Sequence, residues 1–287
     1  AVIWLGAFGI GQIEWTQPRG EKLKVALVQG NIAQEQKWSP DNLMNSLARY
    51  TGLSFSEPGV DLYVWPETAI AAFHHEVRET FLPQLETQLR EHGSDLLSGI
   101  PVLDTDSWDY YNAVVTLGSE QAFYYKQHLV PYGEYLPLRW LIGSTLDALA
   151  VPNADFSSGG KGQTLLNAAG VPVSTSICFE VVFGEQIIRD LPEAALLVNV
   201  SNDAWFGDSL APHQHLEMAR MRARETGRPM LRATNTGISA VIDAAGNITT
   251  RSAQFEEAVV TATVQPRQGA TPYVMVGNWP VLLISAL

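Results

Sequence analysis

Between Leu23 and Val264 the chain repeats one pattern: a short apolar run closes on a polar turn and gives way to a stretch with helical spacing or to another run. Leu23 to Gln29, Asp61 to Trp65, Leu96 to Pro101, Tyr111 to Leu117 and Gln121 to Lys126 have the length and composition of strands. So do Val171 to Ile177, Ala195 to Val200, Met230 to Thr234, Ile238 to Asp243 and Ala258 to Val264. Turn residues such as Gly30-Asn31 and Ala244-Ala-Gly-Asn247 bound them. Asn42 to Leu53, Val77 to His92, Gly184 to Leu191 and His213 to Thr226 read as helices. Interleaving of the two periods predicts one α/β domain over residues 23–265.

A chain of 287 residues that is 46% hydrophobic and 17% charged can bury a large core. Its net charge of -12, with no run of Lys and Arg, argues against a nucleic-acid partner. Arg220, Arg222 and Arg224, spaced with Glu217 and Glu225, read as the solvated face of a helix. A single cysteine excludes an internal disulfide and a multi-cysteine zinc site. His213 and His215 lack a third ligand at a known spacing, so both read as helix-start residues and no metal or other cofactor is expected.

Residues 1–14 and 273–287 are almost free of charge, yet each stretch is shorter than the roughly 20 apolar residues that span a bilayer. We read them as the ends of membrane helices cut at a domain boundary. Gln17 to Lys22 reads as a polar spacer. Residues 132–162 lose the regular alternation, carry prolines and glycines, and contain the apolar cluster Leu138 to Ile142. They read as a long lid loop with a short amphipathic piece.

Three apolar runs end in reactive side chains: Trp65-Pro-Glu67, Ile177-Cys178-Phe179-Glu180 and Val200-Ser-Asn202. In α/β sheets ligands gather beyond the carboxyl ends of strands, so groups far apart in sequence can converge there. Lys126 ends a fourth run and Glu134 follows it closely. Singly, each has a plain explanation: a buried small hydrophobe for Cys178, a cap or turn for Glu134 and Glu180, an edge guard for Lys126. Together they offer a nucleophile, a proton acceptor and an oxyanion stabiliser. Nearby carboxylates disfavour a thiolate, so the thiol is expected to lose its proton to Glu67 during attack.

Glu67 in Trp-Pro-Glu, Lys126 in Lys-Gln-His-Leu-Val-Pro-Tyr-Gly-Glu and Cys178 in Ile-Cys-Phe-Glu resemble the Glu-Lys-Cys triad of the nitrilase superfamily, in that family's chain order. Val130 to Pro137, Val198 to Gly207 and Arg232 to Ser239 resemble, within it, the apolipoprotein N-acyltransferase family. The resemblance implies a nitrilase-like four-layer αββα sandwich between two membrane helices, on the periplasmic face of a bacterial inner membrane. It implies Glu67 as base, Cys178 as nucleophile and Lys126 as oxyanion stabiliser, with Glu134, Glu180 and Phe179 in support. Phe179 stands where tyrosine is frequent in the family. Trp38, Trp140, Leu141, Asn202 and Trp205 are the expected substrate contacts. The implied reaction moves an acyl chain from a phospholipid, by analogy phosphatidylethanolamine, through a Cys178 thioester to the α-amine of a diacylglyceryl apolipoprotein. The alternative is a soluble amidase of the same superfamily, with water as acceptor.

Overall fold

The computed structural model describes residue 6, residues 8 and 9, and residues 11–137 and 156–286. In chain order the first strands are β1 (Thr16–Pro18), β2 (Leu23–Gln29), β3 (Leu62–Val64), β4 (Asp95–Leu103), β5 (Tyr110–Leu117) and β6 (Ala122–Tyr125). The next are β7 (Leu166–Ala168), β8 (Val171–Ile177), β9 (Leu196–Ser201), β10 (Met230–Thr234) and β11 (Ala240–Ile242). Last come β12 (Ile248–Arg251), β13 (Ala258–Val264) and β14 (Arg267–Gly269). They build two six-stranded sheets, ordered β13-β2-β3-β4-β5-β6 and β12-β11-β10-β9-β8-β7, and a small β1-β14 pair.

Each large sheet has a parallel centre, β2-β3-β4 in one and β8-β9-β10 in the other, with antiparallel strands outside it. The sheets share a core in which Val25 and Leu27 of β2 meet Val173 and Ile177 of β8 and Val198 and Val200 of β9. On the outer side of the first sheet Ala26 and Val28 pack with Leu47, Leu85 and Leu89 of the helices Pro40–Phe55 and Leu82–His92. Outside the second, Leu197 and Met230 pack with Leu216, Ala219 and Ala223 of the helix Ala211–Thr226. Central strands are therefore apolar on both faces, which is why they appear in sequence as continuous runs. Full burial of each such side chain stabilises the fold by about 1.5–3 kcal/mol.

The layers run helix, sheet, sheet, helix, and the strand positions follow the sequence reading closely. Three local readings are corrected. Val77 to His92 is not one helix: His74–Val77 ends, and a second helix starts at Leu82 with Pro83 in its first turn, where a missing N–H costs nothing. Gln17 and Pro18 are not spacer but pair with Gln268 and Arg267. The arginines of the last long helix are not a uniformly solvated face, because the Arg222 side chain is only 14% exposed and pairs with Glu225 at 2.7 Å. Among the described residues no helix is long and apolar enough to cross a membrane. Trp140 and Leu141, most of the expected lid and part of residues 1–14 lie outside the described residues.

Candidate active site

The first sheet delivers Glu67 and Lys126. Glu67 sits in the turn after β3, and Lys126 directly follows β6, which runs in the same direction as β4 because two antiparallel pairings separate them. Both therefore lie at the same end of the sheet. The turn at Glu67 presses on β4: a Cβ at Gly99 would lie 2.3 Å from the Thr68 nitrogen and 2.6 Å from the Glu67 Cα. Only glycine permits that approach.

The Glu67 carboxylate is held at both oxygens. Asn112 Nδ2 donates to Oε1 at 2.7 Å, and the Asn202 backbone N–H donates to Oε2 at 2.9 Å. The Lys126 ammonium stands 3.9 Å from Glu67 Oε1 and donates to Glu134 Oε1 at 2.7 Å. The second Glu134 oxygen accepts the Val130 N–H at 2.8 Å, which fixes the chain just beyond Lys126. Burial opposes the charge on Lys126, but Glu67, Cys178 and Glu134 outweigh it and raise its pKa. The side chain remains an ammonium throughout the physiological range.

The second sheet delivers Cys178 and Asn202, from the ends of the parallel neighbours β8 and β9. At Cys178 the backbone turns into the left-handed region, with φ +52°, and enters a short 3-10 turn over Cys178–Val182. That is a strained conformation for a side chain other than glycine, and such strain concentrates at functional corners. Burial first, then Glu67, push the thiol pKa up to about 12, while Lys126 and Ser201 pull against them. The resting group is a thiol, and any thiolate must be made during reaction.

Glu180 is fully buried and faces the loop that follows Lys126. Oε1 accepts from the N–H groups of Gln127 and His128 and from Gln186 Nε2, at 2.7, 3.0 and 3.0 Å. Oε2 accepts from Tyr124 OH and the Ile177 N–H, at 3.0 and 2.8 Å. Glu180 thus clasps the Lys126 loop to the Cys178 turn. Phe179, beside Cys178, is 41% exposed and meets Phe183 edge-on. Trp38 and Trp205 are 49% and 76% exposed; Trp38 follows Lys37, which bonds the Glu67 carbonyl, and Trp205 follows Ala204, whose N–H bonds the Asn202 carbonyl. Asn202 ties these pieces together, with Nδ2 donating to Gln34 Oε1 at 2.8 Å and Oδ1 accepting from Asn235 at 3.0 Å.

A network beneath Cys178 was not visible in the sequence. The Cys178 carbonyl accepts from Asn199 Nδ2 at 3.2 Å and from His215 Nε2 at 3.0 Å. Arg232, fully buried inside β10, bonds Asn199 Oδ1, donates to Asp203 Oδ2 at 2.7 Å and lies 3.0 Å from His215 Nδ1. His215 faces an acceptor on each side, the Cys178 carbonyl at Nε2 and Asp203 Oδ1 at 3.2 Å from Nδ1; burial and Arg232 lower its pKa, against the pull of Asp203 and the Cys178 carbonyl. Burial works against the charge of Asp203, but Arg232, His215 and Ser201 hold its carboxyl well below the usual range. His215 is thus more than a helix-start residue. The one available signal was an arginine placed inside an apolar strand, since an arginine there requires an acidic partner. Among the described residues no group of three or more His, Cys, Asp or Glu is arranged to hold a metal ion.

The fold and site define a class: an α/β sandwich with a buried carboxylate, ammonium and thiol gathered at strand ends. The chain belongs to the carbon-nitrogen hydrolase family, whose model matches residues 24–273. It is similar to the apolipoprotein N-acyltransferase of Methylococcus capsulatus, 48% identical over 286 residues that cover 100% of this chain and 57% of that protein. The apolipoprotein N-acyltransferase of Nitrosomonas europaea is 46% identical over 286 residues, 99% of this chain and 57% of that one. The chain spans little more than half the length of these relatives. Among solved structures, Saccharomyces cerevisiae Nit3, a nitrilase superfamily member, superposes with a TM-score of 0.65 at 20% identity, covering 92% of this chain and 96% of that one. That likeness is one of fold.

Proposed function

We propose that this chain carries the acyl-transfer chemistry of lipoprotein N-acylation. Cys178 takes an acyl chain from a phospholipid and passes it to the α-amine of an N-terminal diacylglyceryl-cysteine. The observation that carries the reading is the gathering of Glu67, Lys126 and Cys178 from two sheets into one electrostatically coupled corner. Similarity to apolipoprotein N-acyltransferases along essentially the whole chain supports the choice of reaction.

In the first half-reaction Glu67 takes the Sγ proton as sulfur attacks the ester carbonyl carbon. The oxyanion forms against the Lys126 ammonium. Collapse breaks the ester C–O bond, the leaving lysophospholipid oxygen takes the proton from Glu67, and a thioester remains on Cys178. In the second half-reaction the amine nitrogen attacks the thioester carbonyl and gives a proton to Glu67. The C–S bond breaks and the proton returns to Sγ. Proton transfer of this kind is worth roughly 10²–10⁴-fold, and an oxyanion donor about 3 kcal/mol. Glu134 keeps the ammonium in place, and Glu180 keeps the two loops together.

On this reading residues 23–265 are the catalytic domain, on the periplasmic face of a bacterial inner membrane, and residues 1–14 and 273–287 are ends of membrane helices. Residues 132–162 are a lid in which Trp140 and Leu141 meet acyl chains, with Trp38, Phe179, Asn202 and Trp205 lining the approach. Phosphatidylethanolamine is the donor. Chain selection comes from apolar contact, at about 0.8 kcal/mol per buried CH₂. The test is intact-mass measurement after incubation with phospholipid: a hydroxylamine-labile acyl adduct on Cys178, discharged by an amine acceptor, is expected. No adduct, or discharge by water alone, overturns the assignment, the latter in favour of an amidase.

A further inference from the structure

Lys37, the last residue of the short helix Gln34–Lys37, is one of two lysines buried among the described residues, with 5% exposure; the other is Lys126. Its Nζ donates to the backbone carbonyl of Glu67 at 2.9 Å. None of the chemistry above uses it, and a buried ammonium is costly to keep without a purpose in the fold or the site. The cost is visible: burial lowers its pKa to about 8, and Glu67 is the group that opposes the shift.

The place of that contact is informative. The turn at Glu67 is squeezed between the two sheets' ends, with Thr68 at φ +52° and the Gly99 backbone against it. Pro66 is engaged by the Gly99 N–H at 3.2 Å, and the Glu67 carboxylate by Asn112 and Asn202. Lys37 takes the carbonyl, so its bond sets the rotation of the Glu67 main chain about this turn. The charges that face Glu67 are then Lys126 on the carboxylate side and Lys37 on the carbonyl side, with Glu134 beyond Lys126. Cys178 and Tyr110 are the neutral titratable groups that feel it.

We infer that Lys37 is a positioning residue for Glu67: its ammonium fixes the turn that aims the carboxylate and supplies a second positive charge that keeps the carboxylate ready to accept the Cys178 proton. A carboxylate beside one cation in a dry site, facing a thiol it must deprotonate, gains from a second cation that touches only its backbone. That cation holds the ionised form without forming an ion pair that would occupy the accepting oxygen. The inference rests on Glu67 acting as the base.

Cys178 is the only cysteine, so its alkylation by iodoacetamide reports the site directly. Alkylation rates would be followed against pH for the unaltered chain, Lys37→Gln, Lys37→Arg and Glu67→Gln, with thermal melting to confirm folding. Lys37→Gln keeps a donor and drops the charge. It is expected to move the acid limb of the rate up by about 1 pH unit, the low end of the effect of a nearby opposite charge. Lys37→Arg is expected to keep the limb in place. A Lys37→Gln profile that is lowered without moving would show mere scaffolding and overturn the inference. If Lys37→Gln does not fold, a shifted limb in Lys37→Arg overturns it equally, because the charge is then retained. Glu67→Gln that leaves the profile unchanged would instead sink the base assignment itself, whatever Lys37 does.

Discussion

Glu67 and Glu180 are both buried carboxylates within reach of the same corner, and their surroundings differ in one countable respect. Five donors from four segments converge on Glu180, so each of its oxygens is committed to holding the Cys178 turn against the Lys126 loop. Among the described residues two donors hold the Glu67 carboxylate, and the Lys126 ammonium stands off at 3.9 Å. A carboxylate saturated with hydrogen bonds is structural. One held in place with capacity to spare can receive a proton. Residue type is the same in both; the supply of donors assigns the work.

Substitution of each glutamate by glutamine should separate these two kinds of work, and the largest effect belongs to Glu67. Glu67→Gln is expected to slow acylation of Cys178 by about 10²–10⁴-fold with little change in melting temperature. Formation of the acyl adduct, timed by mass, checks it. A variant that acylates normally would put the two glutamates in the same class.

Next in size is the network that shapes the Cys178 turn from below. Arg232→Met leaves the Asp203 carboxylate buried without its cation and should cost about 3–5 kcal/mol in chemical denaturation. Glu180→Gln follows, at about 2–4 kcal/mol, because an amide nitrogen must then face backbone N–H donors. Its acylation rate should fall less than its stability suggests. A Glu180→Gln chain that is fully stable but inert would reverse the contrast.

The smallest effect is expected at a partly buried carboxylate, Asp190. Among the described residues its one hydrogen-bond donor is Ser174 Oγ, at 2.7 Å, and burial pushes its pKa up to about 6, against the pull of Ser174 and Arg189. Its folded pKa lies above the unfolded value of about 3.9, so this group favours the fold most at low pH and that contribution is lost as pH rises through about 6. Asp190→Asn should therefore gain about 1 kcal/mol at neutral pH, after allowance for solvent screening, and nothing near pH 4. Melting at the two pH values tests it. With few donors a partly buried carboxylate becomes a weaker acid, and this variant measures how much one partner leaves undone.

How much of this was legible depends on the distance over which each feature is encoded. The Cys178 corner was readable because an apolar run and its turn are contiguous, and the strands because their runs are apolar; the two-sheet sandwich was implied only by the resemblance to the nitrilase superfamily. The break between His74–Val77 and Leu82–His92 was hidden because apolar spacing continues across it, although Pro83 marked the restart. By local pattern Arg232 belongs to a strand and His215 to a helix start. Neither placement was wrong, but their shared target, the Cys178 carbonyl and its neighbours, lies on other strands. Lys37 was one letter in Gln-Lys-Trp until the fold set it on Glu67.

By itself, then, the sequence determined which residues end strands and which chemistries those ends can supply, since local periodicity and turn preference act over a few residues. Only the tertiary structure decided how many donors each buried acid receives. Those donors arrive from elements separated by up to 135 positions, as between Asn202 and Glu67. Packing of two sheets sets these meetings, and the low dielectric at their ends turns each meeting into a protonation state.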